Sequence, residues 1–269
     1  MAVALSLSVT SAANAEALLA RHDGITRLQF GSEFCESLLP APAALRRMLT
    51  LAAANGLAFS LATPICSDRS VARLRKLLAL LPPQSEVVAN DWGVLRLLHA
   101  DFPNLTPVAG RLICKQVKDP RLPSAQWAAL YPHGVHGAPF VAMLRRFGVG
   151  RVEMDVAPFA AAEELNSPQM CVSAHAPWGF AVKGRACRIG SLNLAEADKF
   201  AIAGKCRREC LDYVAPMTRD GRDELPTVQR GNALFYRHNE AMTAALNAAV
   251  GAGYVDRMIV AGDWPGARP

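Results

Sequence analysis

Residues 57–109, LAFSLATPICSDRSVARLRKLLALLPPQSEVVANDWGVLRLLHADFPNLTPVA, decide the fold. Three short apolar runs, residues 57–63, Glu86–Ala89 and Thr106–Ala109, alternate with two longer runs of helical period, residues 70–81 and 92–100. Pro82-Pro83 stops the first of these helices, and Asp91 is placed to cap the second. Each strand is too short to bury itself, and each connection is long enough for a crossover helix. Strands alternating with helices at this spacing imply a parallel sheet with right-handed crossovers.

The same rhythm runs outward in both directions. Upstream, Ala4–Val9 and Ile25–Gly31 read as strands, residues 12–21 as a helix with Ser11 as its cap, and residues 41–55 as a helix ending on Gly56. Downstream, residues 140–147 and 158–165 read as helices, and residues 150–156 and 169–173 as strands. Ala233–Arg237 and residues 255–260 follow as strands around a helix over 239–250. Residues 116–139, rich in proline with Gly134 and Gly137, read as a loop insertion. Residues 174–212 read as an irregular segment that carries cysteines. The count is roughly eight strands, so we expect an α/β fold, a single (β/α) barrel-like domain over residues 1–269. An open doubly wound sheet is the alternative. It lacks support, since no GxGxxG follows the first strand and no GxxxxGK[ST] occurs.

Composition narrows the class. Hydrophobic residues make up 51% of the 269 and charged residues 19%, which excludes disorder. The formal net charge of +6 invites a nucleic-acid reading. The basic residues are scattered, however: Arg73–Arg75–Lys76 and Arg145–Arg146 read as solvated helix faces. The N-terminus starts with an alternating apolar run and no basic segment, and no apolar stretch approaches membrane-spanning length, so a cytoplasmic protein is expected. There, disulfides are uncommon and clustered cysteines more often serve metals or redox chemistry.

Seven cysteines are present. Barrel enzymes place their chemistry where strands deliver their C-terminal ends. Cys35 follows the second strand; Cys187, Cys206 and Cys210 lie in the irregular segment after a late strand, so the fold would bring all four to one rim. Cys206 and Cys210, in GKCRREC (204–210), are four apart, which suits one face of a helical turn. Lys205, Arg207 and Arg208 around them favour thiolates. Four thiolates suit an iron–sulfur cluster. Zinc competes, although its structural sites usually repeat close cysteine pairs. Cys171, inside a strand, reads as packed. Cys66 and Cys114 also follow strands, and either could replace Cys35.

With these residues the chain resembles the collagenase-like peptidases (unclassified peptidase family thirty-two), and within them the UbiV branch. The resemblance is carried in order by ITRLQFGSEFC (25–35), LAFSLATPI (57–65), VVANDWGVLRLL (87–98), LTPVAG (105–110), GRACRIGS (184–191) and GKCRRECLDY (204–213). Many family members have an extra cysteine shortly before the one corresponding to Cys187; HAPWGFAVKGRAC (175–187) has none. The branch uses one early and three late cysteines. The resemblance therefore implies a [4Fe–4S] cluster on Cys35, Cys187, Cys206 and Cys210. It also implies a UbiU-like sister subunit, a quinone precursor or other small aromatic substrate, and oxygen-independent ring hydroxylation in ubiquinone biosynthesis. Base hydroxylation of RNA, by analogy with other family members, and a non-catalytic iron–sulfur scaffold are the rival readings. No protease motif is legible.

Other candidates are weaker. His133 and His136 have a metal-compatible spacing but lie in the proline-rich loop without a carboxylate. His175 follows a predicted strand and could serve a cluster sulfur, a substrate or the fold. Asp91, Glu153 and Asp155 fall near strand ends. Trp178 and Tyr213 could shield a cluster from water.

Overall fold

The computed structural model describes residues 3–114, 116–130, 134–199, 206–217 and 225–264. Its strands are β1 (Ala4–Val9), β2 (Ile25–Gly31), β3 (Ala58–Thr63), β4 (Glu86–Ala89), β5 (Thr106–Ala109), β6 (Arg151–Asp155), β7 (Cys171–Ala176), β8 (Trp178–Lys183), β9 (Ala215–Met217), β10 (Thr227–Arg230), β11 (Ala233–Arg237) and β12 (Arg257–Ala261). Its helices are α1 (Ala15–Leu19), α2 (Pro42–Ala54), α3 (Asp68–Leu78), α4 (Trp92–Asp101), α5 (Ala125–Ala129), α6 (Ala138–Arg146) and α7 (Glu240–Gly251). Eight strands close a barrel in the order β1-β12-β7-β6-β5-β4-β3-β2, and every barrel pairing is parallel. The expected α/β barrel is the fold. No helix among the described residues is long and apolar enough to cross a membrane.

Strand alternation sorts the side chains. Leu7 and Val9 of β1, Leu28 and Phe30 of β2, and Leu61 of β3 are buried in the layer shared with the helices. α3 answers with Ser70, Leu74, Leu77 and Leu78, the one-sided spacing of an amphipathic helix, and leaves Arg73, Arg75 and Lys76 exposed. The solvated basic faces expected on α3 and α6 are there. The opposite strand face lines the barrel, and it is polar for much of its height.

Near the barrel's N-terminal end, Arg257 makes a bidentate pair with Glu86 (2.7 and 3.0 Å). Arg27 lies 3.3 Å from the same carboxylate, and Ser60 donates to it. Burial alone would raise the Glu86 carboxyl. Hydrogen bonds and charge from Arg257, with Arg27 behind, outweigh it and hold the group below the usual carboxylate range. A depressed folded pKa means the stabilisation is complete above the unfolded value near ~4.3 and is lost as pH falls through the folded one. The stability gap between wild type and Glu86→Gln should therefore be wide at neutral pH and close on acidification, in urea titrations run across the acid range. A gap independent of pH would contradict this ion-pair account.

Several expectations need correction. Residues 158–165 form only a 3-10 turn, Ala162–Leu165, because Phe159 adopts a left-handed φ of +63° and interrupts any helix there. The strand expected over 169–173 is Cys171–Ala176, in register with β6 from Arg151↔Cys171 onward. Cys171 is thus its first residue and is exposed rather than packed. Helix α1 is shorter than expected and is preceded by Asn14 rather than Ser11. The insertion over 116–139 contains α5 and a 3-10 turn at Gly134–His136.

The largest difference lies between β7 and α7. Residues 174–212 are not wholly irregular: they hold the end of β7 and all of β8. Strand β11 does not join the barrel but pairs antiparallel with β8 and β10, in a second sheet of order β8-β11-β10-β9. Phe180, Phe235 and Trp264 form its small apolar core, with Phe34 packed against them. This sheet stands over the C-terminal mouth of the barrel and carries the late cysteines there.

Candidate functional site

Gly31 ends β2 with φ +128°, and a Cβ there would fall 2.3 Å from the Ala62 carbonyl oxygen of the neighbouring strand. Only glycine fits, and the turn it permits sends Ser32–Cys35 over the mouth. The Cys35 N–H donates to Ser32 Oγ (3.3 Å). Glu36 then accepts from Ser67 N and Ser70 Oγ, fastening this loop to the one after β3.

The turn between β10 and β11 organises the other side. Gly231 has φ +59°, and a Cβ there would meet Cys210 Sγ at 3.5 Å. Asn232 Nδ2 donates to the carbonyls of Phe34 (2.9 Å) and Gly184 (3.1 Å), tying the Cys35 loop to the Cys187 loop. Ile189 N donates to Gly231 O, and Arg230 Nε to Cys210 O (3.1 Å). One tight turn thus contacts the loops of Cys35, Cys187 and Cys210.

Cys35, Cys187, Cys206 and Cys210 line one cavity of about 910 Å³. The structure brings together all four cysteines singled out from the sequence. Gly190 N donates to Cys187 Sγ (3.3 Å) and Arg208 N to Cys206 Sγ (3.3 Å). Burial pushes the Cys210 thiol up to about 12; Arg230 opposes this, while the other three sulfurs add to it. Burial also raises Cys187, with Cys35 and Cys206 contributing in the same direction. The neighbouring sulfurs thus make Cys187 and Cys210 harder to ionise, which is how anionic ligands act on one another before a cation joins them. No three of these sulfurs lie within 4.8 Å of one another. A tetrahedral zinc ion would draw its sulfurs to about 3.8 Å apart, given Zn–S near 2.3 Å. As placed, the four side chains do not form a closed one-ion site of that kind.

Two details differ from the sequence reading. Cys206 and Cys210 do not share a helical turn: Arg208 adopts φ +63° and only Glu209–Leu211 is 3-10 helical, with the Arg208 N–H turned onto the Cys206 sulfur. The cation acting on Cys210 is Arg230 rather than the exposed Arg207 and Arg208. Lys205 and His133 lie outside the described residues. Cys114 is buried in the core, donates toward Ala109 O and is pushed up to about 12 by burial. Cys66 reaches the edge of the large cavity. Burial pushes it up to about 11, and Ser70, Asp91, Glu36 and Lys183 are the groups that act on it.

Below the cysteines the mouth holds Asp155, noted from its place near a strand end, together with Glu33, Arg111 and Lys118, which sequence reading passed over. Arg111 makes a bidentate pair with Glu33 (2.9 and 2.7 Å) and donates to Asp155 (2.7 Å). Lys118 also pairs with Asp155, and Phe180 N donates to it (3.1 Å), so β8 is seated on this carboxylate. Burial works against the Asp155 anion, but Lys118 and Arg111 outweigh it and hold its pKa well below the usual range. Phe34 and Phe180 pack in a tilted pair with ring centroids 4.7 Å apart, and the Arg111 guanidinium lies 5.2 Å from the Phe34 ring. The available signal was position: Glu33 and Arg111 each come two residues after a strand end, and the Gly231-Asn232 pair between two strands marks a tight hairpin.

The remaining candidates take structural places. Asp91 caps α4 through Gly93 N and accepts from Cys66 N. His136 bonds the Glu164 carbonyl. Tyr213 is half exposed. Trp178 stacks on Trp264 and walls a small cavity of about 70 Å³ that also touches Cys35 and Cys210. His175 Nε2 lies 2.9 Å from Glu153 Oε2, inside the barrel.

No family model matches the chain, and no curated protein matches it. Among solved structures, the chain is similar to the U32 peptidase Mk0906, with 12% identity over 100% of this chain and 95% of that one and a TM-score of 0.48. It is similar to a glycoside hydrolase family 18 N-acetylglucosaminidase from Paenibacillus barengoltzii, with 10% identity, 96% and 94% coverage and a TM-score of 0.43. The spore cortex-lytic enzyme SleL of Bacillus megaterium gives 12% identity, 96% and 70% coverage and a TM-score of 0.42. At such identities and scores, none of the three bears on what this chain does.

Proposed function

We propose that Cys35, Cys187, Cys206 and Cys210 hold a [4Fe–4S] cluster. We further propose that the chain acts with a UbiU-like sister subunit in oxygen-independent hydroxylation of a ring in ubiquinone biosynthesis. The observation that carries the cluster is the meeting of one early and three late cysteines at a single cavity. The donor set fits: four sulfurs line one cavity, two of them accept backbone N–H groups, and Gly190 and Gly231 lie directly against the Cys187 and Cys210 side chains. Hydrogen bonds to sulfur and nearby charge are the protein's usual means of tuning such a cluster.

When bound, a cluster supplies one-electron transfer. The chain's own residues supply the surroundings. The cavity is larger than four ligands need, and Phe34 and Phe180 give it an aromatic wall beside Arg111, suited to a small aromatic ring. The quinone pathway and the partner rest on the sequence resemblance.

Anaerobic purification with iron and acid-labile sulfide analysis tests the cluster. Iron and sulfide in equal amounts, with a broad visible absorption bleached by dithionite, is the expected outcome. Stoichiometric zinc without sulfide would overturn it.

A further inference from the structure

The polar interior of the barrel contains a second set of donors that the cysteine site leaves unused. Glu33, from the loop after β2, Glu153 of β6 and His175 of β7 present one ligand atom each, all within 4.8 Å of one another. His175 Nε2 stands 2.9 Å from Glu153 Oε2 and 3.9 Å from Glu33 Oε1. All three residues are at least nine-tenths buried.

Their neighbourhood is incompletely satisfied. Glu153 Oε1 and both polar atoms of the Gln29 amide are buried without a hydrogen-bond partner among the described residues. Gln29 is fully buried on β2, and its amide comes close enough to Glu153 to favour the carboxylate anion without reaching full hydrogen-bond geometry. Buried polar atoms of this kind ordinarily find a partner, and orphans clustered in one place point to something that joins them. The charges differ from one carboxylate to the next. Asp155 is answered by Lys118 and Arg111, and Glu33 by Arg111, whereas Glu153 is bonded by the His175 imidazole and by no lysine or arginine among the described residues. Arg111 occupies one edge of Glu33. A carboxylate offers about four lone-pair positions, so the other edge is available.

We propose that Glu33, Glu153 and His175 form a binding site for one divalent cation of the Mn²⁺ or Fe²⁺ class, with Gln29 as a supporting ligand or the partner of a bound water. Two carboxylates and an imidazole, with no thiolate, match those ions. Three protein ligands leave coordination positions open. Glu33 and His175 line the small cavity that also touches Cys35 and Cys210, so the open positions face the floor of the cysteine site. A ligand oxygen bound there would be held by a Lewis acid on one side of that floor. The site is separate from the cysteines and does not rest on the cluster reading.

The probe is Mn²⁺, added to the anaerobically purified full chain and followed by electron paramagnetic resonance. Its six-line spectrum is distinct from any iron–sulfur signal, so failure of one reading leaves the other intact. One equivalent should bind, and affinity should drop at least tenfold in Glu153→Gln and in His175→Gln. Pulsed measurements on the wild type should show coupling to a single imidazole nitrogen, which keeps the test decisive even if a variant does not fold. Absence of that nitrogen coupling, or equal Mn²⁺ binding by wild type and folded Glu153→Gln, would overturn the proposal.

Discussion

Asp155→Asn should lower stability by about 3–5 kcal/mol at neutral pH, the usual loss when one partner of a buried ion pair is removed. Asp155 is fully buried and accepts from Arg111, Lys118 and the Phe180 N–H. The amide keeps the shape but cannot answer two cations. Arg111 retains Glu33; Lys118, only 5% exposed, retains no carboxylate bonded to it among the described residues. Because Phe180 lies in β8, the strand leading to Cys187, the same change should loosen the cysteine site and lower its metal content. The double variant Asp155→Asn/Lys118→Met should recover much of the loss, since a buried pair replaced on both sides is often near neutral. Urea midpoints with an unchanged m-value measure both. A single-variant loss below about 1 kcal/mol would match the range of exposed pairs instead and would refute this description of the mouth.

That ionic layer also marks where the sequence stopped being readable. The barrel was legible because each unit from β1 to β5 repeats a local pattern: a short strand, a crossover, and a capping or stop signal such as Asp91 or Pro82-Pro83. Local period is set by which face each element buries, and that information lies within a dozen residues. β8, β9 and β10 were not legible. Trp178–Lys183 is short and pairs with Ala233–Arg237 across some fifty residues of sequence, and Ala215–Met217 and Thr227–Arg230 are shorter still. Apart from the Gly231-Asn232 turn, nothing local distinguishes such strands from loop. The four cysteines could be grouped from the sequence because thiols are rare and their positions after strand ends share a rim. Glu33, Arg111, Lys118 and Asp155 could not, because charged residues are common and only the closed barrel shows that these are buried together. The helical turn expected for Cys206 and Cys210 failed for a related reason. Spacing of four fits a helix, but the N–H of Arg208 finds a sulfur acceptor instead, and the backbone follows it.

Alanine substitution of Cys35, Cys187, Cys206 or Cys210 should each reduce retained iron by more than about tenfold, because losing a ligand should cost at least as much as losing an outer-shell partner. The same change at Cys66, Cys114 or Cys171 should leave iron near the wild-type level. The distinction follows from surroundings rather than from distance along the chain. Cys210 and Cys187 each feel the other three sulfurs or two of them. Cys114 faces the core and a backbone carbonyl, Cys171 sits at the opposite end of its strand, and Cys66 donates to Pro64 O beside Asp91 and Glu36. Cys66 is the informative control, since it reaches the same cavity as Cys35 from the next loop. If Cys66→Ala strips iron and Cys35→Ala does not, the early ligand comes from the loop after β3. Asn232, which bonds the Phe34 carbonyl next to Cys35, separates the two cases further. Asn232→Ala releases the loops of Cys35 and Cys187 while touching nothing at Cys66, so it should lower iron retention further in the Cys66→Ala background if Cys35 is the ligand, and leave the Cys35→Ala background the more depleted of the two. Iron counted against protein in all of these variants, after identical anaerobic purification, decides it.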